Sequence, residues 1–329
     1  MPPMERLERL TARWAFFMLV ASIGVGAWLA EPLAPAGRFS PYLLALVILA
    51  VSAGLDFAAF RASGVDPASW ARVFLVGYPA YAAGAWVLGK ALGLEGPAHL
   101  GLFLLALAPP ANTASVWTSA AGGDVAVALS GIALGNVVAP LLLALPLALA
   151  GTGVEAGTGL VLAWRILLPY VLVPALAGMA LGGRDPFRGP GWQQGFRLLA
   201  RIAVLAIMLV NAAALWQQSR PPLTLVALIG AGVVGIEGSI YALGSRTARR
   251  FRLPPGPSRA FSFLQSMRNT ALVIALASAA AGPESALPAM IAFAVQEPLA
   301  ALVAARLARR TGSPDPETSL LRKDTLTRR

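Results

Sequence analysis

Cysteine is absent from the chain, and histidine occurs once, at His99. Without a thiol there can be no disulfide, no thiolate metal site and no cysteine nucleophile. A single imidazole also excludes the usual zinc sites of intramembrane peptidases. At the start of an apolar run, His99 reads as a polar residue at a membrane interface. Charge is scarce as well: Asp, Glu, Lys and Arg are 12% of 329 residues, about half the share of a water-soluble domain. Acids are the rarer sign, 15 against 26 Lys and Arg, for a net +11. Nucleic acid is nevertheless not the implied partner. Most basic residues lie in loops and tails, where membrane topology accounts for them.

What fills the chain is apolar: 57% of it, in repeated runs of about 20 residues. Such runs argue for helices, since the strands of a barrel would alternate. Ten spans are predicted, at about 14–30, 41–60, 71–92, 98–121, 125–150, 159–182, 196–216, 222–245, 260–281 and 285–305. Asp124 is placed to cap the fifth. Lys and Arg divide sharply between the two sides. One side takes Arg6, Arg9, Arg13, Arg61, Arg72, Arg184, Arg188, the arginines from Arg246 to Arg259 and the tail; the other takes Arg38, Lys90 and Arg220. The positive-inside rule then puts both termini in the cytoplasm, in a multi-pass protein of the cytoplasmic (inner) membrane. The expected organisation is a cytoplasmic N-terminus 1–13, a first five-helix repeat 14–150, a linker 151–158, a second repeat 159–306 and a basic, disordered cytoplasmic tail 307–329. An odd number of spans per half inverts the second half in the membrane.

Two stretches interrupt this pattern. Pro109-Pro110-Ala111-Asn112-Thr113-Ala114-Ser115-Val116-Trp117-Thr118 sets two prolines and then a polar run inside an apolar segment. Prolines remove backbone donors, and a broken helix in hydrocarbon persists only where protein or a water-filled cavity satisfies the freed groups. Its counterpart in the other half is Leu264-Gln265-Ser266-Met267-Arg268-Asn269. Broken helices with polar side chains at mid-membrane are how secondary transporters build a site. The candidate substrate-binding residues are therefore Asn112, Thr113, Ser115, Thr118, Gln265, Ser266, Arg268, Asn269, Gln296 and Glu297. The hydroxyls and amides among them could equally be glue between helices. Trp117 reads as packing.

The run Ala108–Thr118 followed by Gly123-Asp124-Val125-Ala126 resembles the fourth-to-fifth helix signature of the bile acid:sodium symporter family. Leu55-Asp56-Phe57 and Met267-Arg268-Asn269-Thr270-Ala271-Leu272-Val273-Ile274-Ala275-Leu276 fit it too, and the likeness extends over about 14–306. The resemblance implies an all-α membrane protein of ten transmembrane helices as two inverted five-helix repeats, with broken helices 4 and 9 crossing at mid-membrane. It implies a core domain of spans 3, 4, 5, 8, 9 and 10 and a panel domain of spans 1, 2, 6 and 7. It also locates two sodium sites. The positions that carry the family's ligands for the first are Ala114, Ser115, Ala128, Ile132 and Leu264 here, and a glutamine of the second falls on Arg268. Only Ser115 keeps an oxygen. A bare sodium ion needs several oxygens in place of its water, so the resemblance supports transport and argues against sodium coupling at those sites.

Charged residues inside spans are costly and usually functional. Arg268 either stands in electrostatically for bound sodium or pairs structurally with Glu237 or Glu297. Glu297 is either a proton carrier or the counter-ion of Arg268, and Glu237 needs a partner; these three are the proton or charge-pair candidates. Arg165, near a span end, is expected to snorkel. The expected function is that of a secondary transporter moving a small organic anion by alternating access, not an enzyme. No cofactor or metal is expected, and a proton is favoured over sodium as the coupling ion. The expected partners are the anionic substrate and the lipid bilayer, with a homodimer left open. Two rivals stand beside it. Gln296-Glu297-Pro298 resembles the tenth-helix acidic motif of arsenite-type efflux permeases in the same superfamily, but their fourth-helix cysteine is missing. A non-transporting membrane receptor is the other.

Overall fold

The computed structural model describes residues 15–54, 67–149, 161, 164–250 and 253–309. The N-terminal segment 1–13, the Leu55-Asp56-Phe57 motif, the linker 151–158 and residues 310–329 of the tail lie outside the described residues.

The main helices are α1 (Ala15–Trp28), α2 (Ser40–Ser52), α3 (Pro67–Ala91), α4 (Gly96–Leu107), α5 (Thr113–Ala120) and α6 (Val125–Leu149), then α7 (Val173–Gly182), α8 (Pro190–Gln218), α9 (Leu223–Arg250), α10 (Pro255–Ser266), α11 (Thr270–Ala281) and α12 (Leu287–Arg309). A π-helical turn, Leu168–Leu172, leads into α7 at Pro169, where the missing N–H favours such a bulge. By contrast, α3 runs on through Pro79. Helix α12 continues to Arg309, past the start expected for the tail. Among the described residues there is one isolated β-bridge, Pro110 with Arg268, and no strand.

Five described stretches are long and apolar enough to cross a membrane: Ala30–Ser52, Trp164–Gly182, Gly191–Gln218, Leu223–Gly244 and Pro283–Arg309. The halves of the expected fourth and ninth spans fall short of that length because each is interrupted. Large apolar side chains stand on the outer surface, Trp28, Leu223 and Leu302 among them, as suits a surface solvated by lipid. Arg165 is exposed, as its place near a span end suggests.

Helix α8 packs on α1 and α2, and α2 also packs on α7. Helix α9 packs on α10, α12 and α3, and α10 also packs on α5 and α6. Helices α8 and α2 meet this second group mainly at α11. Two local contacts set the short helices. Asp124 caps α6, its Oδ1 accepting from Val127 N at 3.1 Å. Arg259 Nη1 donates to Ala121 O and Gly122 O, both at 2.9 Å, closing the carbonyl end of α5 with a positive charge. His99, near the start of α4, is buried within the protein, with Nε2 3.2 Å from Trp86 O and its ring 4.5 Å from that of Trp86. The physical reason is Gly89, where any Cβ would overlap the imidazole.

Candidate functional site

Helix α4 ends at Leu107, and Ala108 is already extended at φ −59, ψ 143. A residue before proline is pushed out of the helical region, so Pro109 fixes the break from the sequence. The second break has no proline. Met267 is extended at φ −87, ψ 102, and Asn269 restarts the helix, its side chain accepting from Leu272 N at 3.1 Å as an N-cap. The two extended segments pair antiparallel: Ala111 N donates to Met267 O at 2.7 Å and Asn269 N to Pro109 O at 2.8 Å. Each break thus supplies partners for backbone groups the other leaves open, which a buried interruption requires. Pro110 lies directly on Gly135 of α6, where an added Cβ would overlap its Cδ.

Gln296 of α12 completes the pairing. Its Oε1 accepts from Arg268 N and its Nε2 donates to Arg268 O, both at 3.1 Å. The side-chain amide acts as one more rung beside the bridge. Asn136 of α6 is also buried, but its Oδ1 has no hydrogen-bond partner.

The side chain of Arg268 is fully buried at 0% exposure. Nη1 donates to Ala108 O at 2.9 Å, across the crossing. Its Cζ stands 4.6 Å from the Tyr78 ring centroid and 5.2 Å from that of Tyr81. Cation–π contacts of this kind are worth about 2 kcal/mol when desolvated. Neither Glu237 nor Glu297 pairs with the guanidinium. Both oxygens of Glu237, also at 0% exposure, lack a partner, as do Arg268 Nε and Nη2. Glu297 Oε2 instead accepts from Trp117 Nε1 at 2.8 Å, so Trp117, read as packing, contributes a polar contact.

The other candidates divide into two sets. Four are fully buried and tied to neighbouring groups. Thr118 Oγ1 donates to Ala114 O at 2.7 Å, Ser266 Oγ donates to Ser262 O at 2.8 Å, Gln265 Oε1 accepts from Tyr81 at 2.6 Å, and Gln296 holds the Arg268 backbone. Asn112, Thr113, Ser115, Asn269 and Glu297 are only half-buried. Ser115 Oγ donates back to Asn112 O at 2.8 Å. The half-buried set surrounds the starts of α5 and α11, whose N-termini both open at the crossing.

The positions that the resemblance aligns with sodium ligands also come together. Ala114, Ala128, Ile132 and Leu264 are all buried, and with Phe261, Phe263 and Met267 they form one apolar cluster. It offers side-chain methyl and methylene groups where a cation would need oxygens.

A helical chain with several apolar helices of membrane length, two of its segments broken and paired inside the bundle, is a multi-pass membrane protein of transporter type. The Sodium Bile acid symporter family model matches residues 41–220, more than half of the chain, and the chain belongs to that family of transporters. The match takes in the first break; Arg268 and the second break lie beyond it. No curated protein matches the chain.

Sequence reasoning missed the roles of Tyr78, Tyr81 and Trp117. The signal for the tyrosines was present in their spacing: residues three apart on a helix share a face, and both sit on an otherwise apolar span.

Proposed function

We propose that the chain is a secondary transporter that moves a small organic anion across the cytoplasmic membrane by alternating access, without sodium at the family's usual sites. One observation carries this reading: a buried guanidinium reaches the Ala108 carbonyl at 2.9 Å, while four of the five aligned positions of the first sodium site, Ala114, Ala128, Ile132 and Leu264, are closed in an apolar cluster. Arg268 serves as a tethered cation that keeps the crossing assembled. The anion binds on the half-buried side, among Asn112, Thr113, Ser115, Asn269 and Glu297. There the N-termini of α5 and α11 offer positive dipole ends to a carboxylate or sulfonate. Arg268 acts on it through its field, and Thr118, Gln265, Ser266 and Gln296 hold the site in shape.

The architecture belonging to this reading is a ten-helix inverted repeat with both termini in the cytoplasm. Packing of α8 with α1 and α2, and of α2 with α7, supports a panel, and packing of α3 to α6 with α9 to α12 supports a core. The amide on α12 beside one break and the amide on α6 near the other support the inverted symmetry. A proton is the favoured coupling ion, and no cofactor is invoked; a homodimer stays open.

Uptake into liposomes under imposed sodium and proton gradients, against a panel of small carboxylates and sulfonates, tests the reading. Sodium-independent uptake that is lost in Arg268→Gln is expected. Sodium-driven uptake, or uptake unchanged in that variant, overturns it. An arsenite-type permease remains the second reading, on the Gln296-Glu297-Pro298 motif, and a metalloid-sensitivity assay separates the two.

A further inference from the structure

Glu237 is the buried acid that this transport scheme has not used. It sits on α9, in Gly235-Ile236-Glu237-Gly238, and is fully buried with neither oxygen hydrogen-bonded. The charge acting on it is that of Arg268, whose Nε and Nη2 are also buried and unpartnered. Two acceptor atoms and two donor groups therefore stand unused within electrostatic reach in one dry interior. A buried carboxylate without a partner is strongly disfavoured, and the same group paired with a guanidinium is not. Beside its contacts with the Tyr78 and Tyr81 rings, the guanidinium ties the two breaks together through Nη1 and Ala108 O.

We propose that Glu237 is the proton-binding residue that couples this transporter: with its proton on, Arg268 holds Ala108 and the crossing is locked; with its proton off, the carboxylate draws the guanidinium into an ion pair and the crossing is released. The proton passes from the acid to water and returns from water; no other bond is made or broken. The other groups on the helices packed against α9 do not substitute for this pair. On α3, Tyr78 and Tyr81 lie against Arg268, and Lys90 lies near Trp86 at the far end. On α4, His99 is engaged with Trp86 O; on α10, Arg259 caps α5; on α12, Glu297 takes the Trp117 hydrogen bond and Arg306 and Arg309 lie in the last turn. On α9 itself, Tyr241 donates to Met267 Sδ at 3.4 Å.

This inference rests on the transport reading for its purpose, and its test does not depend on knowing the substrate. The full chain has no cysteine, so Ser119→Cys and Ala279→Cys can carry a unique spin-label pair on the exposed ends of α5 and α11. The distance distribution between the labels is measured in liposomes at acid and alkaline pH. We expect it to shift with pH in the labelled parent and in Glu284→Gln, and to stay fixed in Glu237→Gln. A parent that does not respond, or a shift retained in Glu237→Gln, overturns the proposal. Infrared spectroscopy of the unsubstituted protein keeps the test sharp if that variant does not fold. The carbonyl band of an undissociated buried acid must disappear over the same pH range as the distance shift, and its absence overturns the proposal too. Sodium-driven anion uptake would sink the transport reading while leaving the pH response standing; a missing pH response would do the reverse.

Discussion

Replacing Gln296 by Leu isolates the contribution of one side-chain amide to the crossing. Leu is close in size, so the packing of α12 is kept while both hydrogen bonds to the Arg268 backbone go. Arg268 O retains the bond from Thr270 N at 2.8 Å and loses only its second partner. Arg268 N has Gln296 Oε1 as its partner at 3.1 Å and is left unsatisfied where no water reaches. An orphaned buried donor costs about 1–3 kcal/mol, and the lost bond at the carbonyl about 1 more. Side-chain hydrogen bonds measured within membrane proteins average nearer 0.6 kcal/mol, because the unfolded chain in lipid also finds partners. The lower half of the first range is therefore the better guide, and about 2 kcal/mol is expected. For a chain of 329 residues, at ~2.1 cal/mol/K of unfolding entropy per residue, that is a fall in Tm of about 3 °C. Thermal unfolding of the purified proteins in one detergent, followed by tryptophan fluorescence, measures this. A Leu variant that melts with the parent would refute the idea that the amide completes the bridge.

Gly135→Ala puts a methyl group into Pro110, and overpacking of this kind costs about 1–3 kcal/mol; the same melting assay should register it, and an unchanged Tm would mean that Pro110 is free to move. Trp117→Phe removes the donor to Glu297 at 2.8 Å, a bond to an ionisable group worth about 1.5–3 kcal/mol if the acid is charged. Labelling of Glu297 by a hydrophobic carbodiimide, read by mass spectrometry, should rise in that variant, and equal labelling would count against the contact. Combining Ala128→Ser, Ile132→Thr and Leu264→Glu with Arg268→Gln returns oxygens to the apolar cluster and takes away the fixed charge. Sodium should then raise the Tm of the redesigned chain by ligand linkage, about 2.7 kcal/mol at a hundred times Kd, and leave the parent unmoved; a parent stabilised by sodium over lithium would refute the closed-site reading.

Much of this was legible in the residues, for reasons that differ from one element to the next. The first break could be read directly, because Pro109 disfavours a helical Ala108 and Pro110 takes away a second backbone donor, where the single prolines Pro79 and Pro298 leave their helices running. The capping role of Asp124 was equally local. The second break was not local. Nothing between Leu264 and Thr270 forbids a helix, and Met267 is extended because Ala111 and Pro109 pair with its segment. Its place came from the family pattern and from the polar residues gathered there. The partner of Arg268 could not be read at all. An arginine in a span calls for a counter-charge by simple electrostatics, and both acids were available in the sequence. The structure instead sets it against two tyrosine faces and the Ala108 carbonyl, a choice that depends on α3 lying beside the crossing. The burial of His99 inside the protein was hidden for the same kind of reason, since it depends on Gly89 of another helix leaving room for the ring.

A tethered cation and a bound sodium ion can hold a pair of broken helices together in the same way, since both bring positive charge to carbonyl oxygens in a dry interior. They differ in one thermodynamic respect: the ion dissociates on each side of the membrane and the guanidinium does not. A site that never unloads cannot draw on a concentration gradient, because work is extracted only by binding on one side and releasing on the other. If Arg268 carries out the structural duty of the ion, the sodium gradient is removed from the energy balance of transport even though the family's fold is kept. The driving force must then come from the anion's own gradient or from a group that does load and unload. Among the buried groups at the crossing, a carboxyl can do this and an arginine cannot, since an arginine does not give up its proton at any physiological pH. That asymmetry is why the unpartnered acid on α9, and not Arg268, is where coupling should be sought.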